Sequence, residues 1–289
     1  SYFIGTDYRI TGIGEGTVTA TGTPVDQTNS PKPVTIKITV TKGDGQDTDN
    51  TKLASEGIEK AASYLADIHE TKGYKYGDEW AVYALARSGK TIAQDKLDAY
   101  YNSVCETVKT WSADQKPTDI ERVALALTSM GKDITNVNGV NLAEMIYNSP
   151  KLKNGSNELI YALIALDAAD IQIPSGSKWN RGAIIAELAK FQNSASGGIG
   201  LSDARGGSSD ITAMALQALS VYRNHNTAAK KISDQALTYL KNTMGDDFGY
   251  GTSESTAQVL LALTSMGIDP LSGDFGTVNM NLITNLTGY

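Results

Sequence analysis

The sequence predicts an all-α protein of about five to six helix pairs in two concentric layers, entered through a short N-terminal β segment. Three observations carry this. Five segments dense in alanine and leucine recur along the chain, with their last leucines at 85, 127, 166, 219 and 263. The spacings of 42, 39, 53 and 44 residues are those of a two-helix repeat. Between these segments run stretches with a single apolar face, the mark of helices that cover a core.

The β segment comes first, over residues 1–43. Thr17-Val18-Thr19-Ala20-Thr21 and Val34-Thr35-Ile36-Lys37-Ile38-Thr39-Val40 alternate with period two and are rich in β-branched residues. Both patterns read as half-buried strands. Gly22 to Pro33, with three prolines, reads as the turn between them. So few strands make a poor independent core.

Residues 44–51 read as a polar linker. Asp44, Asp47 and Asp49 raise the alternative of a calcium loop, but the central glycine and distal glutamate of that loop are not at the required spacing.

Residues 52–289 hold the helix pairs. The inner segments are Asp78–Leu85, Ile120–Leu127, Leu159–Leu166, Thr212–Leu219 and Thr256–Leu263. Alanine and leucine favour helix, and segments apolar almost all round belong inside on more than one side. The amphipathic partners fall at 53–70, 93–111, 139–148, 180–193 and 228–243. Residues 277–287 would open a sixth unit whose last helix is lacking, leaving the ring open or closed by something outside this sequence. Gly89, Gly131 and Gly267 stand where glycines end helices. An extended solenoid of the same pairs is the competing architecture.

Composition removes several function classes. The chain has 25 basic and 32 acidic residues, two histidines and one cysteine among 289. Cys105, His69 and His225 cannot supply the four clustered ligands of a zinc site. The acidic balance, without a basic run, argues against nucleic acid, and no stretch approaches the ~20 apolar residues of a membrane span. Cys105 reads as a buried inert thiol, and His69 and His225 as surface residues. The chain opens Ser1-Tyr2-Phe3 without an initiator methionine, which reads as a piece of a longer chain. Near-absence of thiols and a Thr/Asn/Ser/Gly-rich texture favour an extracellular or surface-attached protein.

Phe191-Gln192-Asn193-Ser194-Ala195-Ser196-Gly197-Gly198-Ile199-Gly200, followed by Ser209-Asp210-Ile211-Thr212-Ala213-Met214, resembles the repeat of the squalene cyclases and protein prenyltransferase β subunits. Tyr74-Lys75-Tyr76-Gly77-Asp78-Glu79-Trp80 resembles an earlier copy, and Gly249-Tyr250-Gly251 with Ser253-Glu254-Ser255 a later one. The branch most similar is the one in Gram-positive surface proteins that is akin to transcobalamin and intrinsic-factor α-domains. The resemblance implies an α/α toroid. The run from Ile10 to Thr19, with Ile36–Val40, resembles the end of a bacterial immunoglobulin-like domain.

The family's chemistries do not carry over. A cyclase starts from an Asp-x-Asp-Asp acid, and Asp246-Asp247 is a remnant at best. A prenyltransferase needs an Asp-x-Cys pair and a histidine for zinc, and the Cys–Gln pair of complement-type thioester relatives is also missing. No catalytic residue, metal site or cofactor is therefore expected. A corrinoid enters only by analogy with the transcobalamin branch.

Acidic residues gather at the inner-helix starts: Asp78, Glu79, Asp119, Glu121, Glu158, Asp210 and Glu254. They read first as caps and partners of the helix dipole, worth roughly 0.3–1 kcal/mol each. A second reading makes them a ring facing a ligand, and a third makes them catalytic. The candidate ligand-binding set is Tyr76, Glu79, Trp80, Asp119, Asp210 and Glu254. The sequence thus points to a non-catalytic binding or interaction module of an exported bacterial surface protein. Its partner would be a hydrophobic or corrinoid small molecule, or another surface protein. A terpenoid- or glycan-processing enzyme using inner-helix carboxylates and a structural spacer remain the alternatives.

Overall fold

The structure, a computed structural model, describes residues 16–22, 34–40, 47–277 and 279–289. β1 (Gly16–Gly22) pairs antiparallel with β2 (Val34–Val40), Gly16 opposite Val40 and Gly22 opposite Val34. The rest of the expected immunoglobulin-like lead-in, the turn over 23–33 and residues 41–46 of the lead-in and linker lie outside the described residues.

From residue 47 the described chain is helical. The helices are α1 (Asp47–Lys72), α2 (Glu79–Ser88), α3 (Gln94–Val108), α4 (Pro117–Ser129), α5 (Leu142–Tyr147) and α6 (Ser156–Ala168). They continue with α7 (Arg181–Leu188), α8 (Ser209–Leu219), α9 (Thr227–Thr243), α10 (Ser253–Ser265) and α11 (Leu282–Leu286). α1 begins at Asp47, inside the stretch read as linker. Helix propagation is cooperative, and residues 47–52 contain no glycine or proline to stop it. α5 is shorter than its sequence segment. Val137 and Val140 bridge each other across Asn138 and Gly139, both at positive φ, so the helix starts only after its cap Asn141.

The even-numbered helices pack in succession, α2 on α4, α4 on α6, α6 on α8 and α8 on α10. α10 then touches α11, α11 touches α1, and α1 returns to α2. α1 and α11 therefore touch, a contact the sequence reading did not anticipate. α4, α6 and α8 are buried on nearly every side, as their composition requires. Full burial of each large apolar side chain there contributes about 1.5–3 kcal/mol. Alanines 124, 126, 162, 165, 213 and 215 are wholly buried and let these helices approach closely.

α2 and α10 depart from that expectation. Each buries one narrower face, and Trp80 and Leu261 stay about half exposed. α10 is flanked by the five-residue α11, too short to cover it, and Trp80 faces a cavity described below.

His69 also departs from the sequence expectation. It is buried, not superficial, because residues 73–78 fold back over the end of α1. Its ring stacks on Tyr74 at 4.6 Å, Nδ1 lies 2.9 Å from the Leu65 carbonyl and Nε2 lies 3.4 Å from Asp78 Oδ1. His225 is exposed and Cys105 is buried in α3, both as expected.

Candidate functional site

The starts of α2, α4 and α6 lie side by side because these helices pack consecutively. Glu79 opens α2 and is wholly buried. Burying a carboxylate is costly unless it is paired and hydrogen-bonded. Its Oε1 accepts from the Gly77 backbone N–H at 2.7 Å, and its Oε2 from Arg122 Nε at 2.8 Å. Arg122 sits one turn into α4 and also reaches Asp119 Oδ1 at 3.5 Å. Asp119 Oδ2 accepts from Gln115 Nε2 at 3.1 Å.

Tyr76 stands beside this network. Its backbone N–H donates to Ser103 Oγ at 2.8 Å, and its ring meets Trp111 edge-on at 6.2 Å. Burial, then the charge of Asp119, pushes its phenol above the ordinary tyrosine range.

Glu121, also in the first turns of α4, has no such support. It is wholly buried, and among the described residues neither carboxyl oxygen has a hydrogen-bond partner. Burial first, then the charges of Glu158 and Asp119, hold its carboxyl well above the usual carboxylate range. Desolvation disfavours the charged form, so burial favours the protonated acid.

In front of these residues opens a cavity of about 500 Å³. Trp80 and Tyr161 form its aromatic wall, with ring centroids 5.7 Å apart and planes tilted by 55°. Tyr161 is held in place by its hydroxyl, 3.2 Å from Met214 Sδ. Lys116 and Arg122 contribute from the start of α4, and Asn154, Asn157 and Glu158 from the start of α6. Leu201 and Ser202 line it as well. That loop is pinned to α6, whose Ser156 donates its N–H to Leu201 O at 3.0 Å and its Oγ to Gly200 O at 2.8 Å. Gly155 permits the close approach. A methyl group there would sit 2.7 Å from Glu158 Oε2 and 3.2 Å from Leu201 O.

Of the six sequence candidates, the structure brings four together. Trp80 lines the cavity. Glu79 and Asp119 hold Arg122, which lines it, and Tyr76 lies within electrostatic reach of all three. Asp210 and Glu254 lie elsewhere. Asp210 accepts from the hydroxyl of Ser208 and lies near Tyr239 of α9. Glu254 is exposed and accepts from Ser253 Oγ at 3.1 Å. Both behave as first-turn acids at helix starts, the capping alternative of the sequence reading.

Arg122, Lys116, Asn154 and Asn157 escaped the sequence reading. Arg122 carried a signal, being a cation in the otherwise apolar run from Ile120 to Leu127 that Glu121 alone shares. Asn154 and Asn157 flank Gly155-Ser156 in a polar turn, which composition alone assigns to a surface loop. Leu201 and Ser202 carry none. Among the described residues there is no group of three or more His, Cys, Asp or Glu that could hold a metal ion, and no helix is long and apolar enough to cross a membrane.

Comparison with protein-family models, curated proteins and solved structures finds no match to this chain.

Proposed function

We propose that this chain is a ligand-binding module whose helix pairs form an α/α toroid in two layers, with the ligand held at the mouth where inner helices begin. The succession of helix contacts that returns from α11 through α1 to α2 supports the ring. The observation that carries the binding reading is the cavity itself. It joins an aromatic wall, Trp80 and Tyr161, to Glu158 and Lys116, whose side-chain charges have no partner among the described residues. Mostly preformed pockets of 300–1,000 Å³ with a few convergent polar groups are the usual form of small-ligand sites.

Binding is favoured over catalysis by the state of the carboxyls. Glu79 is committed to Arg122, and Glu121 is buried behind the cavity. Glu158 is the one carboxylate on the cavity wall among the described residues, whereas glycoside hydrolysis needs two flanking the scissile bond. The likeness to surface-protein toroids, and of the N-terminal segment to an immunoglobulin-like domain, motivates placing the module on an exported bacterial surface protein. A corrinoid rests on that analogy alone, and a cavity of about 500 Å³ supports a smaller ligand.

The test is a thermal-shift screen of small polar and aromatic ligands, followed by Trp80→Ala and Glu158→Gln. A stabilising ligand raises Tm through linkage, and the rise should vanish in both variants. Turnover of a terpenoid or glycan that is lost in Glu158→Gln or Glu79→Gln would overturn the non-catalytic reading. Absence of any ligand effect would favour a spacer.

A further inference from the structure

We propose that the cavity takes a neutral sugar, a short oligosaccharide with one pyranose ring stacked on Trp80; the assignment rests on the binding-module reading. Three observations point to this chemistry.

Trp80 keeps 47% of its surface exposed although it lines a cavity beside Tyr161. The π face of an aromatic ring is negative. The C–H bonds on one face of a pyranose are weakly positive and apolar, so the two faces fit.

Asn157 Oδ1 is buried, belongs to a residue of the cavity wall and receives no hydrogen bond among the described residues. A buried acceptor left unmade costs the desolvation of that group. The residue is half-buried on the cavity wall, so a turn of its side chain presents this acceptor to a ligand hydroxyl, which satisfies it.

The wall carries Lys116, Arg122 and Glu158, and with Glu79 and Asp119, which pair with Arg122, these five groups sum to a single negative charge. Arg122 is thus already held by two acids. Glu158 and Lys116 remain, one acceptor and one donor set of opposite sign. A phosphate or carboxylate ligand would meet Glu158 as well as Lys116. A terpenoid would desolvate Glu158 without replacing its bonds to water and would leave Asn157 Oδ1 unpartnered. Hydroxyls both donate and accept, so a sugar serves Lys116, Glu158 and Asn157 at once.

The test is saturation-transfer NMR on the whole chain. Cellotriose, maltotriose and triacetylchitotriose form one probe set, and indole-3-acetate and glycyl-glycine form the other. At least one trisaccharide should bind. Trp80→Ala should weaken it by about ten-fold or more, and Trp80→Phe should recover part of the loss. Trp80 is exposed, so its variant should retain a cooperative thermal transition, and Asn157→Ala gives an independent second loss. Sugar binding unchanged in both Trp80→Ala and Asn157→Ala would overturn the placement. If only the non-sugar probes bind, and do so through Trp80, the sugar assignment falls while the binding module stands. If no probe of either set binds, both fall.

Discussion

Glu79 Oε2 accepts a hydrogen bond from Arg122 Nε at 2.8 Å, and this ion pair ties the first turn of α2 to the second turn of α4. The acid is wholly buried, while the arginine side chain keeps about a quarter of its surface exposed and lines the cavity. One residue therefore closes the seam between α2 and α4 and shapes the pocket wall. Packing and site cannot be varied independently here.

Removing the cation should be costly. Arg122→Ala leaves Glu79 buried with the Gly77 N–H as its remaining donor among the described residues. Breaking one side of a buried pair costs about 3 kcal/mol, read as a lower midpoint in urea. The double variant Glu79→Gln/Arg122→Met removes the orphaned charge and should recover most of the loss. An Arg122→Ala protein as stable as the wild type would show that Glu79 finds another partner.

Glu121 predicts a pH dependence. Its folded-state pKa is raised from about 4.5, chiefly by burial. Above about pH 4.5 the unfolded chain loses this proton while the folded chain keeps it. Folding therefore costs more as pH rises, by about 1.4 kcal/mol per pH unit from this group, until the folded pKa is reached. Glu121→Gln cannot titrate. Its stability relative to the wild type should therefore climb from pH 4.5 upward in urea titrations. Parallel stability curves for the two proteins would refute the buried, unpartnered state.

Much of the helical plan was legible because burial imposes a period. The inner helices stand where alanine and leucine crowd, and the expected C′ glycines Gly89, Gly131 and Gly267 take positive φ. Half of the candidate site was not legible. Whether a first-turn acid caps, pairs or faces a cavity depends on which neighbouring helix arrives beside it. Glu79 and Glu254 both lie in the first turn of their helices, yet Arg122 reaches only the first. His69 misled for a similar reason: an amphipathic helix locates its polar face, not the loop that later covers it.

At the far end of α6, Asp167 is shared by two donors. Arg181 Nε lies 2.7 Å from Oδ1, and the Tyr222 hydroxyl donates to Oδ2 at 2.5 Å. Burial pushes this carboxyl upward, and the two donors oppose the rise without cancelling it. Tyr222→Phe removes a donor from a buried acid and should cost about 1–3 kcal/mol, measured by urea unfolding near neutral pH. Because the contact is remote from the cavity wall residues, ligand affinity should be unchanged.

The glycine turn ahead of α8 gives the sharpest steric prediction. Gly197 sits at φ +84, donating its N–H to Asn193 O at 2.8 Å. A methyl group on it would lie 2.4 Å from the Gln235 carbonyl oxygen of α9. Gly197→Ala thus carries two penalties. The left-handed backbone costs about 1–2 kcal/mol for any residue with a Cβ, and overpacking against a helix backbone adds about 1–3 kcal/mol. Gly206→Ala, a few residues on, is the control, since a methyl group there meets no atom within 4 Å. Urea unfolding should show a loss of about 2 kcal/mol or more in the first variant and almost none in the second. Equal stability of the two would mean that α9 moves away from the turn. Gln192 Nε2, bonded at 2.9 Å to both Gly197 O and Ile232 O, holds it there, so Gln192→Ala in the same background should then have no further effect.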